Sequence, residues 1–194
     1  MARNAVVLFA HPNPKSLNGA IKDAVVETLK AKGFAVTVRD LYAMNFDSKL
    51  TVKDFQAMAA GGFAPDVAAE QTLIKDAELV AFVHPIWWFS MPSVLKGYVE
   101  RVLVRGFAYD YIPGGVKGLL TGKKVVIVNT TGGVKENYDG GMKQAMASTI
   151  DNGIIAFCGM TVAAHVFLHG VMQKPREELA KEIAAAQEAI AKAV

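Results

Sequence analysis

Short, almost wholly apolar runs recur along the chain, and stretches long enough for helices separate them. Runs this apolar are typical of strands covered on both faces, so their alternation with helices predicts a parallel sheet in a three-layer α/β domain. The pattern predicts five strands, from Ala5 to Ala10, Ala35 to Arg39, Leu79 to Val83, Lys124 to Asn129 and Thr161 to Leu168.

The stretches between the apolar runs predict five helices, some with typical end signals. Gly33 follows the first as a C-terminal stop, Pro65 opens the second, and Pro175 begins the last. The predicted helices run from Leu17 to Lys32, Pro65 to Lys75, Pro92 to Leu103, Gly141 to Phe157 and Pro175 to Val194. No repeat or linker divides the chain, so residues 1 to 194 are predicted to form a single domain.

The composition is that of a folded protein outside the membrane. Hydrophobic residues make up 52% of the chain and charged residues 20%, which excludes a disordered chain. No apolar run approaches the roughly 18 to 20 residues that span a bilayer, and the first run has no signal-peptide cleavage site behind it. We therefore expect a cytoplasmic protein without membrane insertion.

Charge and cysteine content narrow the partners further. The net charge of +3 is small and the basic residues are spread along the chain, so the basic stripe used to bind nucleic acid is missing. The single cysteine, Cys158, has apolar neighbours and is expected to be a buried thiol. We expect no nucleic-acid partner and no metal.

In an open parallel sheet, ligands collect beyond the carboxyl ends of the strands, and this directs attention to three loops. The first, from His11 to Asn18, leads straight into a helix. Ser16 is a natural N-cap, and the free N–H groups at that helix start suit a phosphate or pyrophosphate. The loop fits neither a Rossmann fingerprint nor a P-loop. By itself it is equally consistent with a plain helix cap and a turn stiffened by prolines.

The second and third loops add features of a site for a flat ligand. The second, from His84 to Pro92, holds three consecutive aromatic residues. Any one of them suits an ordinary core, but three in a row on an extended loop cannot all enter one core, so at least one should line a pocket. The third loop, from Thr130 to Gly133, has two glycines that allow close approach of a ligand, and Tyr138 follows. The glycine pair equally suits a simple turn.

These loops belong to a longer series of segments with a recognisable order. The segments are His11 to Gly19, Asp40 to Phe46, Pro65 to Val67 with Glu70 and Gln71, Pro85 to Gly97, Glu100 to Val102, Gly106 to Tyr109, and Thr130 to Gly133. In them the chain resembles the NAD(P)H:quinone oxidoreductase (DT-diaphorase-like) branch of the flavodoxin-like flavoproteins, over nearly its whole length. The resemblance implies a flavodoxin-like three-layer sandwich around a five-stranded parallel sheet of order 2-1-3-4-5.

The resemblance implies a flavin cofactor and assigns residues to it. The phosphate region of the flavin should meet His11, Ser16, Leu17 and Asn18. The flavin ring should lie against Pro85, Ile86, Trp87, Trp88 and Phe89, and against Thr130, Thr131, Gly132 and Gly133. FAD is expected from the overall resemblance. FMN is the alternative, because the chain lacks the C-terminal extension of the vertebrate enzymes and part of the segment after Phe46. Those regions help to hold the adenosine half of FAD.

The implied activity is two-electron reduction of quinones or similar acceptors by NAD(P)H. Hydride passes to flavin N5, the oxidised nicotinamide leaves, and the acceptor enters the same pocket, so ping-pong kinetics are expected. Tyr138 matches a catalytic tyrosine of the family that stabilises charge on the flavin, although it could instead only pack over the ring. The family's nearby histidine has no counterpart, since Gln144 stands near that place. His84 and His165 are expected to be structural.

The resemblance further implies a homodimer with its active sites at the subunit interface. Phe107, Tyr109 and Tyr111 would face the partner's flavin and, with Phe89, bind the acceptor. Two other functions stay open on sequence grounds. One is a flavodoxin-type electron carrier, although such carriers are usually acidic with a threonine-rich phosphate loop. The other is an ancillary flavoprotein subunit that regulates a potassium efflux system.

Overall fold

The central sheet has the predicted topology. The computed structural model describes residues 3–194, and in it five parallel strands pair in the order β2-β1-β3-β6-β7, which is the predicted order with a hairpin inserted between the third and fourth strands. The five strands are β1 Arg3–Phe9, β2 Phe34–Asp40, β3 Leu79–Pro85, β6 Lys124–Thr130 and β7 Thr161–Leu168. The flavodoxin-like fold class is therefore confirmed.

Helices cover both faces of this sheet and complete the three layers. They are α1 Leu17–Ala31, α2 Val52–Ala59, α3 Pro65–Asp76, α4 Ser93–Val102, α5 Met142–Ile150 and α6 Arg176–Ala193. Successive side chains of a strand point to opposite faces, so β1 sends Val6 and Leu8 to one core and Val7 and Phe9 to the other. The first core packs against α3, α4 and α5, and the second against α1 and α6. No helix within residues 3–194 is long and apolar enough to cross a membrane.

Two predicted boundaries are wrong. β3 runs to Pro85, so His84 lies inside the strand and not in the following loop. The single helix predicted from Gly141 to Phe157 ends at Ile150, and a π-helical segment, Asp151–Ala156, continues it. Hydrogen bonds there span five residues, as from the Phe157 N–H to the Asn152 carbonyl at 3.2 Å. Asparagine and glycine at positions 152 and 153 are poor α-helix formers, which explains the change of winding.

Two elements have no counterpart in the sequence prediction. The hairpin of β4 Tyr109–Ile112 and β5 Gly115–Gly118 turns at Pro113 and Gly114, whose φ of +87° requires glycine. The other element is α2, whose apolar residues Val52 and Phe55 are 70% and 56% exposed. Because these residues face outward, the apolar pattern does not mark a buried face, and α2 is held by polar contacts instead.

A buried ion cluster fastens α2 to the rest of the domain. Arg101 of α4 is 6% exposed and donates to the Asp54 carboxylate at 2.8 and 3.1 Å and to Asp66 at 2.7 and 3.2 Å. Burial raises the pKa of Asp54, but hydrogen bonds from Thr51 and Arg101 outweigh it and bring this pKa down to about 2. The cluster therefore stays ionised. Loss of Arg101 would leave the buried Asp54 carboxylate without a partner, whereas the half-exposed Asp66 carboxylate could be solvated by water.

Replacing Arg101 should reveal how strongly the domain depends on this cluster. Arg101→Leu leaves the Asp54 carboxylate buried without a cation, so the free energy of unfolding should fall by about 3 to 5 kcal/mol. Urea unfolding followed by circular dichroism measures this change. The matched control is Arg105→Leu, because Arg105 forms an exposed ion pair with Asp110 and its loss should change stability little. Equal effects of the two substitutions would contradict a structural role for the cluster.

Candidate functional site

A cavity of about 480 Å³ opens where β1, β3 and β6 end at their carboxyl edges. All three predicted loops contribute to it. Its lining comprises His11, Ser16, Leu17, Asn18, Pro85, Ile86, Trp87, Trp88, Thr130, Gly132, Val171 and Met172. The last two, which follow β7, were not predicted. The carboxyl-edge rule also applies to the end of β7 and was the signal that could have identified them.

The first loop is folded tightly against the start of α1. The Asn13 N–H donates to His11 Nδ1 at 3.0 Å, and the Gly19 N–H donates to Ser16 Oγ at 3.2 Å. A Cβ atom on Gly19 would lie 1.9 Å from the Pro14 carbonyl oxygen, so only glycine permits this contact. The loop thus presents the positive end of α1 to the cavity, where an anion is stabilised.

Asn18 joins α1 to the end of β6 and leaves one polar atom without a partner. Its Nδ2 donates to Thr130 Oγ1 at 2.9 Å. Its Oδ1 is buried and accepts no hydrogen bond from the described residues, although Asn18 lines the cavity. An acceptor buried in this way costs about 1 to 3 kcal/mol unless a donor reaches it. A ligand with a hydroxyl or N–H group at this end of the cavity would supply that donor.

The second loop, called the aromatic loop below, makes a tight two-residue turn. Trp87 and Ser90 exchange backbone hydrogen bonds of 2.9 and 3.0 Å, and Trp88 and Phe89 between them have φ angles of +52° and +57°. These angles fit a turn that usually contains asparagine and glycine, so two aromatic residues in it store strain. The turn leaves the Trp88 side chain 97% exposed and Phe89 50% exposed. Their rings stand at the rim of the cavity and not in a core.

Main-chain hydrogen bonds join the third loop to the second loop and to the end of β7. The Ile86 N–H donates to the Thr130 carbonyl at 2.8 Å, and the Thr131 N–H donates to the Leu168 carbonyl at 2.9 Å. The Thr131 hydroxyl donates to the Gly133 carbonyl at 2.9 Å and is buried. Thr131 and Gly133 therefore shape the loop, and of the four predicted residues only Thr130 and Gly132 line the cavity.

Tyr138 ends a short 3₁₀ helix, Lys135–Tyr138, next to the glycine loop. Its hydroxyl lies 3.2 Å from the point where a Cβ atom on Gly133 would be, and its ring is 6.0 Å from the Phe89 ring. Neither ring lines the cavity itself. The structure thus places Tyr138 and Phe89 together beside the cavity entrance, in contact with the loops that form it.

A histidine that the sequence prediction missed lies next to Tyr138. The His169 ring is 5.1 Å from the Tyr138 ring, and its Nδ1 is 3.0 Å from Thr131 Oγ1. Because the Thr131 hydroxyl already donates to Gly133, His169 Nδ1–H must donate to that oxygen. His169 Nε2 is then an unprotonated acceptor, and it has no partner among the described residues. Burial lowers the pKa of His169, with contributions from nearby lysines, and keeps the ring neutral.

Three of the four aromatics expected to bind substrate lie elsewhere in the chain. Phe107 packs against the core, and Tyr109 contacts the rings of Tyr111 and Phe157 at 6.0 and 4.9 Å. Tyr109 also lines a second cavity of about 540 Å³ that the loop residues do not share. The hairpin aromatics therefore do not enter the loop cavity of their own chain. Within residues 3–194, no group of three or more His, Cys, Asp or Glu side chains could hold a metal ion.

Beneath the aromatic loop lies a fully buried histidine. His84 Nδ1 is 2.9 Å from the Pro85 carbonyl oxygen, and Asn129 Nδ2 is 3.0 Å from His84 Nε2. Burial lowers the pKa of His84 to about 4, although the hydrogen bond to Pro85 opposes this shift. The ring is therefore neutral near pH 7, and the Pro85 carbonyl at the end of β3 can accept a hydrogen bond only from a proton on Nδ1.

The chain is similar over nearly its whole length to known oxidoreductases. It matches a family described as a flavodoxin-like fold over residues 3–194. Human ribosyldihydronicotinamide dehydrogenase (quinone) is 36% identical, with 96% of this chain and 85% of the human protein covered. Rat NAD(P)H dehydrogenase (quinone) 1 is 37% identical, with 89% and 71% covered. The structure of NAD(P)H:quinone oxidoreductase from Methanothermobacter marburgensis matches with a TM-score of 0.85 at 30% identity, covering 97% of this chain and 96% of that one.

The buried, neutral His84 should make the domain sensitive to acid. Its pKa is about 4 in the folded protein and 6.5 when exposed, so its contribution to stability is complete above pH 6.5 and is lost as the pH falls towards 4. The loss amounts to about 3 kcal/mol at about 1.4 kcal/mol per pH unit. Urea unfolding of the native protein and of His84→Phe at several pH values isolates this contribution. Identical pH dependence in the two proteins would contradict it.

Proposed function

Since the chain belongs to the NAD(P)H:quinone oxidoreductase (DT-diaphorase-like) family of flavodoxin-like proteins, we propose that it is a flavin-dependent oxidoreductase that uses NAD(P)H to reduce quinones or similar two-electron acceptors, such as azo or nitro compounds. The observation that carries this proposal is the cavity at the carboxyl edge of the sheet. One side of it offers a helix N-terminus for an anion and the other offers exposed aromatic rings for a flat group.

The residues around the cavity fit a flavin at both ends. The start of α1, with His11, Ser16 and Leu17, suits a phosphate because its first N–H groups have no partners within the helix. The unpartnered Asn18 Oδ1 suits a hydroxyl of the ribityl chain. The predicted ring contacts from Pro85 to Phe89 and from Thr130 to Gly133 complete the proposed binding site.

When bound, the flavin supplies hydride transfer from a reduced nicotinamide to the acceptor, and the protein binds and orients the reactants. We assign Tyr138 to stabilising the negative charge that develops at the cavity entrance, because its hydroxyl lies over Gly133 and can donate there. The strained turn of Trp88 and Phe89 supplies an apolar wall that limits the access of water. Nicotinamide and acceptor are proposed to occupy this one cavity in turn.

A homodimer is part of the proposal. The second cavity is lined mainly by apolar side chains, among them Phe55 and Tyr109, together with Glu100 and Arg105, and the neighbouring Tyr111 is 60% exposed. Exposed apolar surface of this kind is stabilised when a partner covers it. A second copy of the chain would bring Phe107, Tyr109 and Tyr111 to the acceptor at the partner's flavin. FAD as the cofactor, FMN as the alternative and a cytoplasmic location complete the proposal.

The purified protein should contain flavin and should oxidise NADH or NADPH with a benzoquinone. Mass spectrometry of the released cofactor distinguishes FAD from FMN. Initial rates at several fixed quinone concentrations should give parallel lines in double-reciprocal plots, because donor and acceptor share one cavity. A colourless protein that takes up neither FMN nor FAD would overturn the proposal, and intersecting lines would show that the two substrates bind together.

Removing the Tyr138 hydroxyl should slow the reduction of the flavin without releasing it. Tyr138→Phe removes one donor, so the rate of reduction by NAD(P)H should fall by the equivalent of roughly 1 to 3 kcal/mol, with flavin affinity barely changed. Stopped-flow absorbance measures this rate. Tyr42→Phe serves as the matched control, because Tyr42 lies in the turn after β2 and belongs to none of the three loops. Reduction of the Tyr138→Phe protein at the native rate would remove the tyrosine from the mechanism.

A further inference from the structure

A continuous chain of buried polar groups runs beneath the two loops that start at the ends of β3 and β6. It begins at Asp151 Oδ1, which is 2.8 Å from His165 Nδ1, and His165 Nε2 is 2.7 Å from Asn129 Oδ1. It continues from Asn129 Nδ2 to His84 Nε2 at 3.0 Å and ends where His84 Nδ1 meets the Pro85 carbonyl at 2.9 Å. Four hydrogen bonds thus connect the π-helical segment to the aromatic loop.

The donors available to this chain can be counted. A carbonyl and an ionised carboxylate only accept, so both ends of the chain need a proton on a ring nitrogen. The Asn129 amide gives one donor and one acceptor, whichever way it is turned. If both imidazoles are neutral, one of the four contacts always has two acceptors facing each other. All four contacts can be hydrogen bonds only if this chain of polar groups holds one additional proton.

We propose that His165 is a positioning residue for the flavin-binding loops, and that it holds them through Asn129 and His84 by means of an additional proton shared with Asp151. The proposal rests on the flavin site proposed above. His165 itself does not line the cavity, and the polar chain ends at the Pro85 carbonyl, which carries no proton. These contacts therefore cannot deliver protons to a ligand, and they act only on the position of the Pro85 backbone.

The side chains around His165 determine the pH range in which the additional proton is lost. Burial lowers the pKa of His165, the carboxylate of Asp151 in the π-helical segment opposes this shift, and the ammonium of Lys143 in α5 adds to it. On β3, His84 is neutral, and on β7 the Phe167 ring stacks on His165 at 4.3 Å. The proton should thus leave on the acid side of neutrality, as the pH rises through the His165 pKa.

The loss of this proton should remove the hydrogen-bond donor of the Pro85 carbonyl. The ionised Asp151 keeps the remaining His165 proton at Nδ1, because hydrogen bonds to a charged acceptor are roughly twice as strong as neutral ones. One of the other three contacts must then open, and we place it at Pro85, where the aromatic loop leaves the sheet: the Asn129 amide turns to donate to His165, and the His84 proton moves to Nε2. One proton goes to solvent, and the Pro85 carbonyl loses its donor. Flavin affinity should therefore weaken as the pH rises.

Asp151→Asn separates this mechanism from a merely structural contact. An asparagine at position 151 can donate from its amide to Nδ1 of a neutral His165, which then donates from Nε2 to Asn129. All four contacts close without the additional proton. This variant should bind flavin at every pH as tightly as the native protein does in acid. Asp76→Asn is the matched control, because Asp76 is exposed at the opposite edge of the sheet, where it ends α3 shortly before β3 begins.

The test measures the dissociation constant of FMN or FAD from the full-length protein between about pH 5 and 8, by the fluorescence of released flavin. The native protein and Asp76→Asn should weaken by about fivefold as the pH rises, and Asp151→Asn should not. Nitrogen-15 spectra of the imidazoles, recorded without flavin, should show both His165 nitrogens protonated in acid in the native protein and only Nε2 protonated in Asp151→Asn.

The outcomes separate this inference from the proposed function. Flavin binding with the same pH profile in the native protein and in Asp151→Asn would overturn the role of His165. Weaker binding of Asp151→Asn at every pH would overturn it as well, because it would show a merely structural contact. If no flavin binds at any pH, the proposed function fails, and the nitrogen spectra decide the additional proton independently.

Discussion

The parallel pairing of β3 with β6 is the constraint on which the site depends. It ends in the hydrogen bond from the Ile86 N–H to the Thr130 carbonyl, after which the two chains diverge. Because the register is fixed along both strands, the aromatic turn and the glycine loop leave the sheet at one level and face each other across the same cavity. The N-terminus of α1 joins them through the contact of Asn18 with Thr130.

Most of the buried polar residues lie in two groups, and the two groups differ in how completely they are paired. Beneath α2, the ion cluster of Arg101 with Asp54 and Asp66 is internally paired and holds a helix whose large apolar side chains are mostly exposed. The other group lies at the carboxyl edge of the sheet and comprises Asn18, His84, Asn129, Thr130, Thr131 and His169. Two atoms of this second group have no partner among the described residues. Polar groups left unpaired beside a cavity indicate that a ligand completes them.

The aromatic turn, at the same edge of the sheet, has a strained backbone. Trp88 and Phe89 adopt left-handed backbone angles that disfavour bulky side chains, and the hydrogen bonds between Trp87 and Ser90 hold them there. The buried His84 lies directly beneath this loop, with its Nδ1 2.9 Å from the Pro85 carbonyl oxygen. The rigid sheet thus maintains an exposed aromatic surface that no core requires, which is consistent with its proposed role in binding a flat cofactor.

The sequence alone determined the parallel sheet and the three loops that form the cavity, because apolar runs and carboxyl-edge loops are local signals. The strand order and the individual cavity residues were implied by the resemblance to the family. The sequence did not reveal α2, which is held by the distant side chain of Arg101, or the hairpin at Tyr109, whose strands are short and half-exposed. Nor did it reveal His169 beside Tyr138 or the chain of contacts from Asp151 to Pro85. These arrangements join residues from separate strands and helices, and their partners, protonation and burial exist only once the tertiary structure has formed.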